Sequence, residues 1–239
     1  MRYKIIISVL FAWLTLNISE VKAQSAGANF LLGFPMNEFK DNVKRTGIGG
    51  SVQFMFWNPS PEIPYTFGIN VGYINYGWES RREPFSYTIP DVIVDVNRTN
   101  NIVNFHFISQ IIPLQGSVRP YLELMLGGSY IFTETNINGS GSEDVASSTN
   151  FDDWAWSYGG GGGVQFELVS FADPQQKVTS VFLDFKVRYL YGTEAEYLKE
   201  GSVIINHGQV IYEVSKSKTD LLTFNIGAVV YFGNLFGKE

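Results

Sequence analysis

With two histidines and no cysteine, this chain has few residues able to do chemistry. His106 lies in Asn104-Phe105-His106-Phe107-Ile108-Ser109, and a serine activated by a histidine would suit acyl transfer. In an extended strand, however, His106 and Ser109 differ in parity and face opposite sides. A hydrogen-bonded structural histidine fits better. Asp152-Asp153 could work on water in a hydrolytic site, but no suitably placed histidine accompanies the pair. Glu143, Asp144, Asp152 and Asp153 could gather a hard cation such as calcium, yet they lack a regular ligand spacing. Two histidines without cysteine do not make a zinc site. His207, between Asn206 and Gly208, sits as in a hairpin turn. The run Gly159–Gly163 carries no GxxxxGK pattern and no helix follows it, so it is not a phosphate loop. The expectation is a chain without catalytic residues, metal or cofactor.

Six polar residues matter more by position than by type. His106, Glu123, Glu167, Asp184, Lys186 and Arg188 all fall on the polar rows of segments that alternate with period two. In one, Val181, Leu183, Phe185, Val187, Tyr189 and Tyr191 alternate with Ser180, Phe182, Asp184, Lys186, Arg188 and Leu190. In another, Leu122, Leu124 and Leu126 alternate with Tyr121, Glu123, Met125 and Gly127. Segments of this kind occupy residues 28–34, 46–57, 65–78, 101–112, 120–133, 155–169, 179–191 and 221–232. Most reach the ~9–11 residues with which a tilted strand crosses a bilayer. The connections alternate in length: 58–64, 113–119 and 171–178 are short, whereas 35–45, 79–100, 134–154 and 192–220 are long and polar. Short turns on one side and long loops on the other are what transmembrane barrels show.

Alternation alone does not say which face is outside, since a soluble ligand-binding barrel would bury the apolar rows. The aromatics Tyr65, Tyr73, Tyr130, Phe132, Trp156, Tyr158, Tyr189, Tyr191, Tyr231 and Phe232 cluster near strand ends, as interfacial girdles do. The expected fold is therefore all-β, an eight-stranded antiparallel up-and-down transmembrane β-barrel. Its lumen would be filled by His106, Glu123, Glu167, Asp184, Lys186 and Arg188. An eight-stranded barrel is just wide enough for side chains to fill, and enclosed charges must pair. Three carboxylates then face two fixed cations, with His106 able to supply a third. In the long segments, residues 203–212 read as a hairpin projecting from the mouth and 89–96 as a further strand. Together they would form a protruding sheet whose edges either pair with an extended partner or pack against neighbouring loops.

Arg2, Lys4, the apolar stretch 5–16 and Val21-Lys22-Ala23 read as a signal peptide over residues 1–23, cleaved after Ala23 to leave a barrel domain over 24–239. The apolar stretch is shorter than the ~20 residues of a spanning helix. The chain carries 17 Lys and Arg against 23 Asp and Glu, a net charge of −6. With no basic patch, nucleic acid is not an expected partner.

Residues 27–35 (Gly-Ala-Asn-Phe-Leu-Leu-Gly-Phe-Pro), Phe39-Lys40-Asp41-Asn42, Gly47-Ile48-Gly49-Gly50 and the terminal strand Asn225-Ile226-Gly227-Ala228-Val229-Val230-Tyr231-Phe232 resemble the small eight-stranded outer-membrane barrels of the OmpX and OmpA type. They are nearest in character to the outer membrane protein beta-barrel domain proteins of Bacteroidetes. The resemblance implies the Gram-negative outer membrane as location. It implies that Asn225, Gly227, Val230 and Phe232 form the signal read by the barrel-assembly machinery. The partners it implies are outer-membrane lipid, that machinery and a protein partner at the extracellular loops. The function expected is structural or surface-interacting, through long extracellular loops and without enzymatic activity. Two other roles remain open: a narrow pore or accessory subunit of an outer-membrane transport or secretion complex, and a lipid A-modifying enzyme.

Overall fold

The computed structural model describes residues 24–86, 89–138, 144–171, 177–206 and 209–233; the expected signal peptide lies outside the described residues. In chain order the elements are β1 (Ser25–Pro35), α1 (Asn37–Asn42), β2 (Gly47–Met55), β3 (Tyr65–Ser86), β4 (Ile89–Ile111), β5 (Val118–Asn138), β6 (Asp144–Ser170), β7 (Val178–Gly192), β8 (Glu194–Tyr197), β9 (Val203–Asn206), β10 (Gln209–Tyr212), β11 (Ser215–Lys218) and β12 (Leu221–Phe232). The first seven strands and β12 close into one barrel in the order β1-β12-β7-β6-β5-β4-β3-β2, with every pair antiparallel. This is the expected eight-stranded up-and-down topology. The closing seam sets Ser25 opposite Tyr231 and Pro35 opposite Leu221.

The apolar rows face out. On β5, Leu122, Leu124 and Leu126 are 63–70% exposed, while the residues interleaved with them, Tyr121, Glu123 and Met125, are at most 4% exposed. On β4, Phe105 and Phe107 point outward and Asn104, His106 and Gln110 inward. A water-soluble barrel would have the opposite sense, since no soluble surface exposes so continuous an apolar band. Among the described residues no helix is long and apolar enough to cross a membrane; strands alone carry the band.

At the end with the long connections, β3 to β6 run well past the ends of the other barrel strands. The described parts of segments 79–100, within which 89–96 is the expected further strand, and 134–154, expected as a loop, continue the ladder: Trp78 pairs with Thr99 and Ser86 with Ile89, while Glu134 pairs with Thr149 and Asn138 with Asp144. Ser80, Arg81, Arg82, Ser147, Ser148 and Thr149 lie in this extension, and all six are exposed. Above the mouth much of both faces meets water, so nothing demands alternation, and main-chain pairing persists without a pattern to announce it. A bulge between Asn75 and Gly77 shifts the register of β3, leaving Tyr76 buried and Trp78 outward.

The mouth itself is covered. The segment 35–45, expected as a loop, contains the short helix α1, whose Phe39 is fully buried. Its ring meets Tyr76 edge-on at 5.8 Å and Tyr197 at 5.1 Å. Tyr76 donates its hydroxyl hydrogen to the Leu198 carbonyl at 3.1 Å. Asn37, the non-glycine residue at φ 49° that opens α1, donates to Asp220 Oδ2 at 2.7 Å and to the Tyr189 hydroxyl at 3.0 Å. Asp220 also accepts from the Gly192 amide at 3.1 Å. The last long connection is two nested hairpins, β8 with β11 and β9 with β10. The expected hairpin at 203–212 is thus present, though its sheet is separate from the 89–96 strand; its turn residues His207 and Gly208 lie outside the described residues.

Candidate functional site

The lumen at mid-height is a closed electrostatic network. Arg188, on β7, grips Glu123, on β5, with both arms of its guanidinium: Nε lies 2.5 Å from Oε1 and Nη2 3.1 Å from Oε2. Such a bidentate fork is the strongest form of this pair. Arg188 Nη1 also donates to Asn70 Oδ1 at 3.2 Å, and Gln110 donates to Glu123 Oε2 at 3.0 Å. Lys186 Nζ sits 3.0 Å from Asp184 Oδ2 and donates to Gln53 Oε1 at 2.6 Å. The lysine–aspartate contact is an ion pair by distance rather than a well-directed hydrogen bond, for Asp184 Oδ2 has no partner of hydrogen-bonding geometry among the described residues. Tyr121 donates to the other oxygen, Oδ1, at 2.8 Å. The four charged residues are at most 3% exposed, and two cations against two carboxylates leave no net charge. Such matching is what burial demands.

Two of the six expected lumen residues stand apart from this pairing. His106 faces inward, but its partner is Ser157 on β6, Nε2 to Oγ at 3.0 Å, and no carboxylate is among its hydrogen-bond partners. Its Nδ1 has no hydrogen-bond partner among the described residues, so nothing orients the ring as a base for Ser157. Both side chains are buried. Ser109 lies on the other side of β4, as parity requires. Glu167 is partly exposed near the short-turn end, where its amide donates to the Ser117 carbonyl at 2.8 Å. It takes no part in the charge pairing, so the expected excess of one carboxylate, and the need for His106 as a third cation, both fall away. Gln53 and Asn70 complete the network, and the parity of β2 and β3 is the signal that would have found them.

The cavity beside the network is small. It measures about 10 Å³ and lies between Ser51, Asn70, Asn104, His106, Arg188 and Asn225, room for about one water. Below the network, Tyr231 turns into the lumen instead of joining the outer girdle. It donates to Gln165 Oε1 at 2.7 Å and meets Phe182 edge-on at 5.4 Å. The Arg119 guanidinium lies over both rings, 4.2 Å from the centroid of Phe182 and 5.0 Å from that of Tyr231. The run Gly159–Gly163 lies against β5 and β7. A Cβ on Gly161 would come within 2.2 Å of the Val187 carbonyl oxygen, so the close approach of backbones requires glycine there.

The loop acids have structural partners. Asp153 accepts from the Glu196 amide at 2.7 Å and the Trp154 amide at 2.8 Å, tying β6 to β8. Glu143 and the Asp144 side chain lie outside the described residues, and among the described residues no cluster of three or more His, Asp or Glu could hold a metal. Burial raises the Tyr197 hydroxyl above its ordinary value, with the Ser217 hydroxyl at 2.7 Å opposing the shift.

Of the terminal-strand residues, Asn225 and Gly227 face the lumen. Asn225 donates to Thr223 Oγ1 at 3.0 Å, and a Cβ on Gly227 would meet the Ala28 carbonyl oxygen at 2.0 Å. Val230 and Phe232 lie on the outer row at the short-turn end, where the Phe232 amide donates to the Gln24 carbonyl at 2.8 Å.

No protein-family model matches the chain, and no curated protein sequence matches it. Similar solved structures include Ail, the attachment invasion locus protein of Yersinia pestis, at 12% identity and TM-score 0.38, covering 88% of this chain and 99% of that one. They also include a major outer membrane protein from Thermus thermophilus, at 13% identity and TM-score 0.46 over 88% and 99%. A third is the outer membrane protein OprG from Pseudomonas aeruginosa, at 11% identity and TM-score 0.40 over 89% and 96%. All these scores lie below 0.5, so the fold rests on the strand pairing itself.

Proposed function

We propose that this chain is a non-enzymatic integral outer-membrane barrel whose interior is a structural plug and whose work is done at its outer surface. One observation carries the reading: an apolar exterior encloses a buried network of two cations and two carboxylates, beside which lies a cavity of about 10 Å³. A barrel so sealed offers no path for a solute and no open site for a substrate. What it does offer is the rising sheet of β3 to β6 and the hairpin of β9 and β10, on which Ile204, Val210, Ile211 and Tyr212 are exposed. These are the candidate contacts for a protein partner, with membrane lipid around the belt and the assembly machinery reading Asn225, Gly227, Val230 and Phe232. The narrow-pore or transport-subunit alternative requires the pairs Arg188–Glu123 and Lys186–Asp184 to part. A lipid A-modifying enzyme requires His106 and Ser157 to reach substrate through a closed wall.

Membrane fractionation, gel mobility with and without boiling, and planar-bilayer recording test the reading together. The expected outcome is recovery in the outer membrane, a heat-dependent mobility shift and no steady channel. Sustained single-channel currents would overturn the plug, and recovery as a soluble protein would overturn the membrane location.

A further inference from the structure

Just above the apolar belt, on the side of β2 and β3, a cleft of about 420 Å³ is lined by Asn42, Val43, Lys44, Arg45, Tyr76, Lys199 and Glu200. Three cations and one carboxylate face it, in a chain whose net charge is −6. The carboxylate is already engaged: Glu200 pairs with Arg45 and accepts from the Trp78 amide at 2.8 Å. Neither Lys44 nor Lys199 has an ion-pair partner among the described residues. The cleft therefore holds two uncompensated positive charges.

Its height decides what those charges would meet. Lys44 and Arg45 stand directly before β2, whose outward residues Ile48 and Val52 are 56% and 57% exposed. On β3, Tyr73 lies on the same apolar belt, and the outward indole of Trp78 marks the point where the belt gives way to polar sheet. Aromatic residues collect at the level of lipid headgroups, and basic pockets at that level take anionic headgroups. We propose that Lys44, Arg45 and Lys199 hold a phosphate of an anionic membrane lipid, with its chains lying on Ile48, Val52 and Tyr73 below. This rests on the barrel spanning a membrane. Arg45, paired with Glu200, also lines the cleft, while the lysines act as point charges on flexible stems.

The test uses the whole protein in a maltoside micelle, which contributes no phosphate, and counts bound lipid by native mass spectrometry. A bisphosphorylated lipid A is compared with the same lipid stripped of phosphate, for wild type and for K44Q/K199Q, which leaves the Arg45–Glu200–Trp78 contacts in place. Wild type is expected to prefer the phosphorylated lipid by at least about tenfold and the variant to lose that preference. Equal binding of both lipids by wild type, or an undiminished preference in the variant, overturns the proposal. Displacement of the lipid by an equal concentration of inorganic phosphate would make this a free-anion site and overturn the lipid assignment. Outer-membrane recovery and the heat-dependent shift are measured on both proteins. If wild type fails these the membrane reading falls and takes the headgroup site with it; if both pass, a negative lipid result counts against the cleft alone.

Discussion

Strands β3 to β6 pass through the wall around the mid-barrel interior and rise as the sheet above the mouth, yet the same strands obey different rules at the two levels. At the level of Glu123 every second residue is enclosed, and the charges among them are matched in pairs. At the level of Ser80 and Ser148 much of both sides is wet, and the sequence runs through serine, arginine, threonine and asparagine without a period. Position within one strand thus changes what a residue is worth. Below the mouth a charge is enclosed and costly to strand; above it an exposed charge such as Arg82, paired with Asp95, is hydrated and nearly neutral in effect, whereas Arg98 against Glu79 stays largely enclosed.

The largest test of that contrast is Lys186→Met. It leaves Asp184 in a dry interior with Tyr121 as its remaining hydrogen-bond partner and should cost on the order of 3–5 kcal/mol, read as a lower urea midpoint for unfolding in micelles. Adding Asp184→Asn, which keeps an acceptor for Tyr121, should restore most of the loss. An unmoved midpoint in the single variant would mean that water reaches the network and that the two regions do not differ. Phe39→Ala probes the boundary between them. Losing a fully buried ring costs about 3–5 kcal/mol where it packs, but the expected effect is local opening of the cap. Trypsin should then cut at Lys40, Lys44, Arg45 or Lys199 at least about tenfold faster while the barrel midpoint stays put. A parallel fall of the midpoint would show cap and barrel to be one cooperative unit.

The cap should also respond to alkali. Burial raises the Tyr197 hydroxyl above 10.0, so its contribution is fully present below pH ~10 and is lost as pH climbs through the folded value. Protease cutting at the cap should rise in that range. Tyr197→Phe should abolish the rise while removing the Ser217 hydrogen bond, worth about 1 kcal/mol; an unchanged pH profile would assign the effect elsewhere. The smallest effect is expected from Ser147→Pro. It deletes an amide opposite Asn136 in the upper ladder and should shift the barrel midpoint by no more than about 0.5 kcal/mol. A larger shift would mean that the rising sheet supports the barrel beneath it.

The same contrast explains what could be read in advance. The eight strands, their order and the inward row of Glu123, Asp184, Lys186 and Arg188 are legible because lipid-facing and lumen-facing positions impose period two. The continuation of β3 past Trp78 and of β6 before Ala155 is invisible, since backbone pairing leaves no residue signature once both faces are solvated. Within Asn37–Asn42 Phe39 is the one apolar residue, and a six-residue helix is too short for periodicity to register. The fate of Glu167 turned on depth along the strand, which parity does not encode. Ser157 sits on the expected face, but its pairing with His106 depends on strand stagger, a property of the closed barrel rather than of either segment.

The seam between β1 and β12 has a kinetic consequence. The first barrel strand finds its second neighbour only when the last has emerged, with Ser25 meeting Tyr231 across almost the whole described chain. Until then β1 and β12 each present an unpaired edge beside an apolar face, the combination most prone to pairing with the wrong strand. Contacts so distant in sequence form slowly, so the interval between synthesis and closure is the molecule's most vulnerable time, and any factor that shelters those two edges sets its yield.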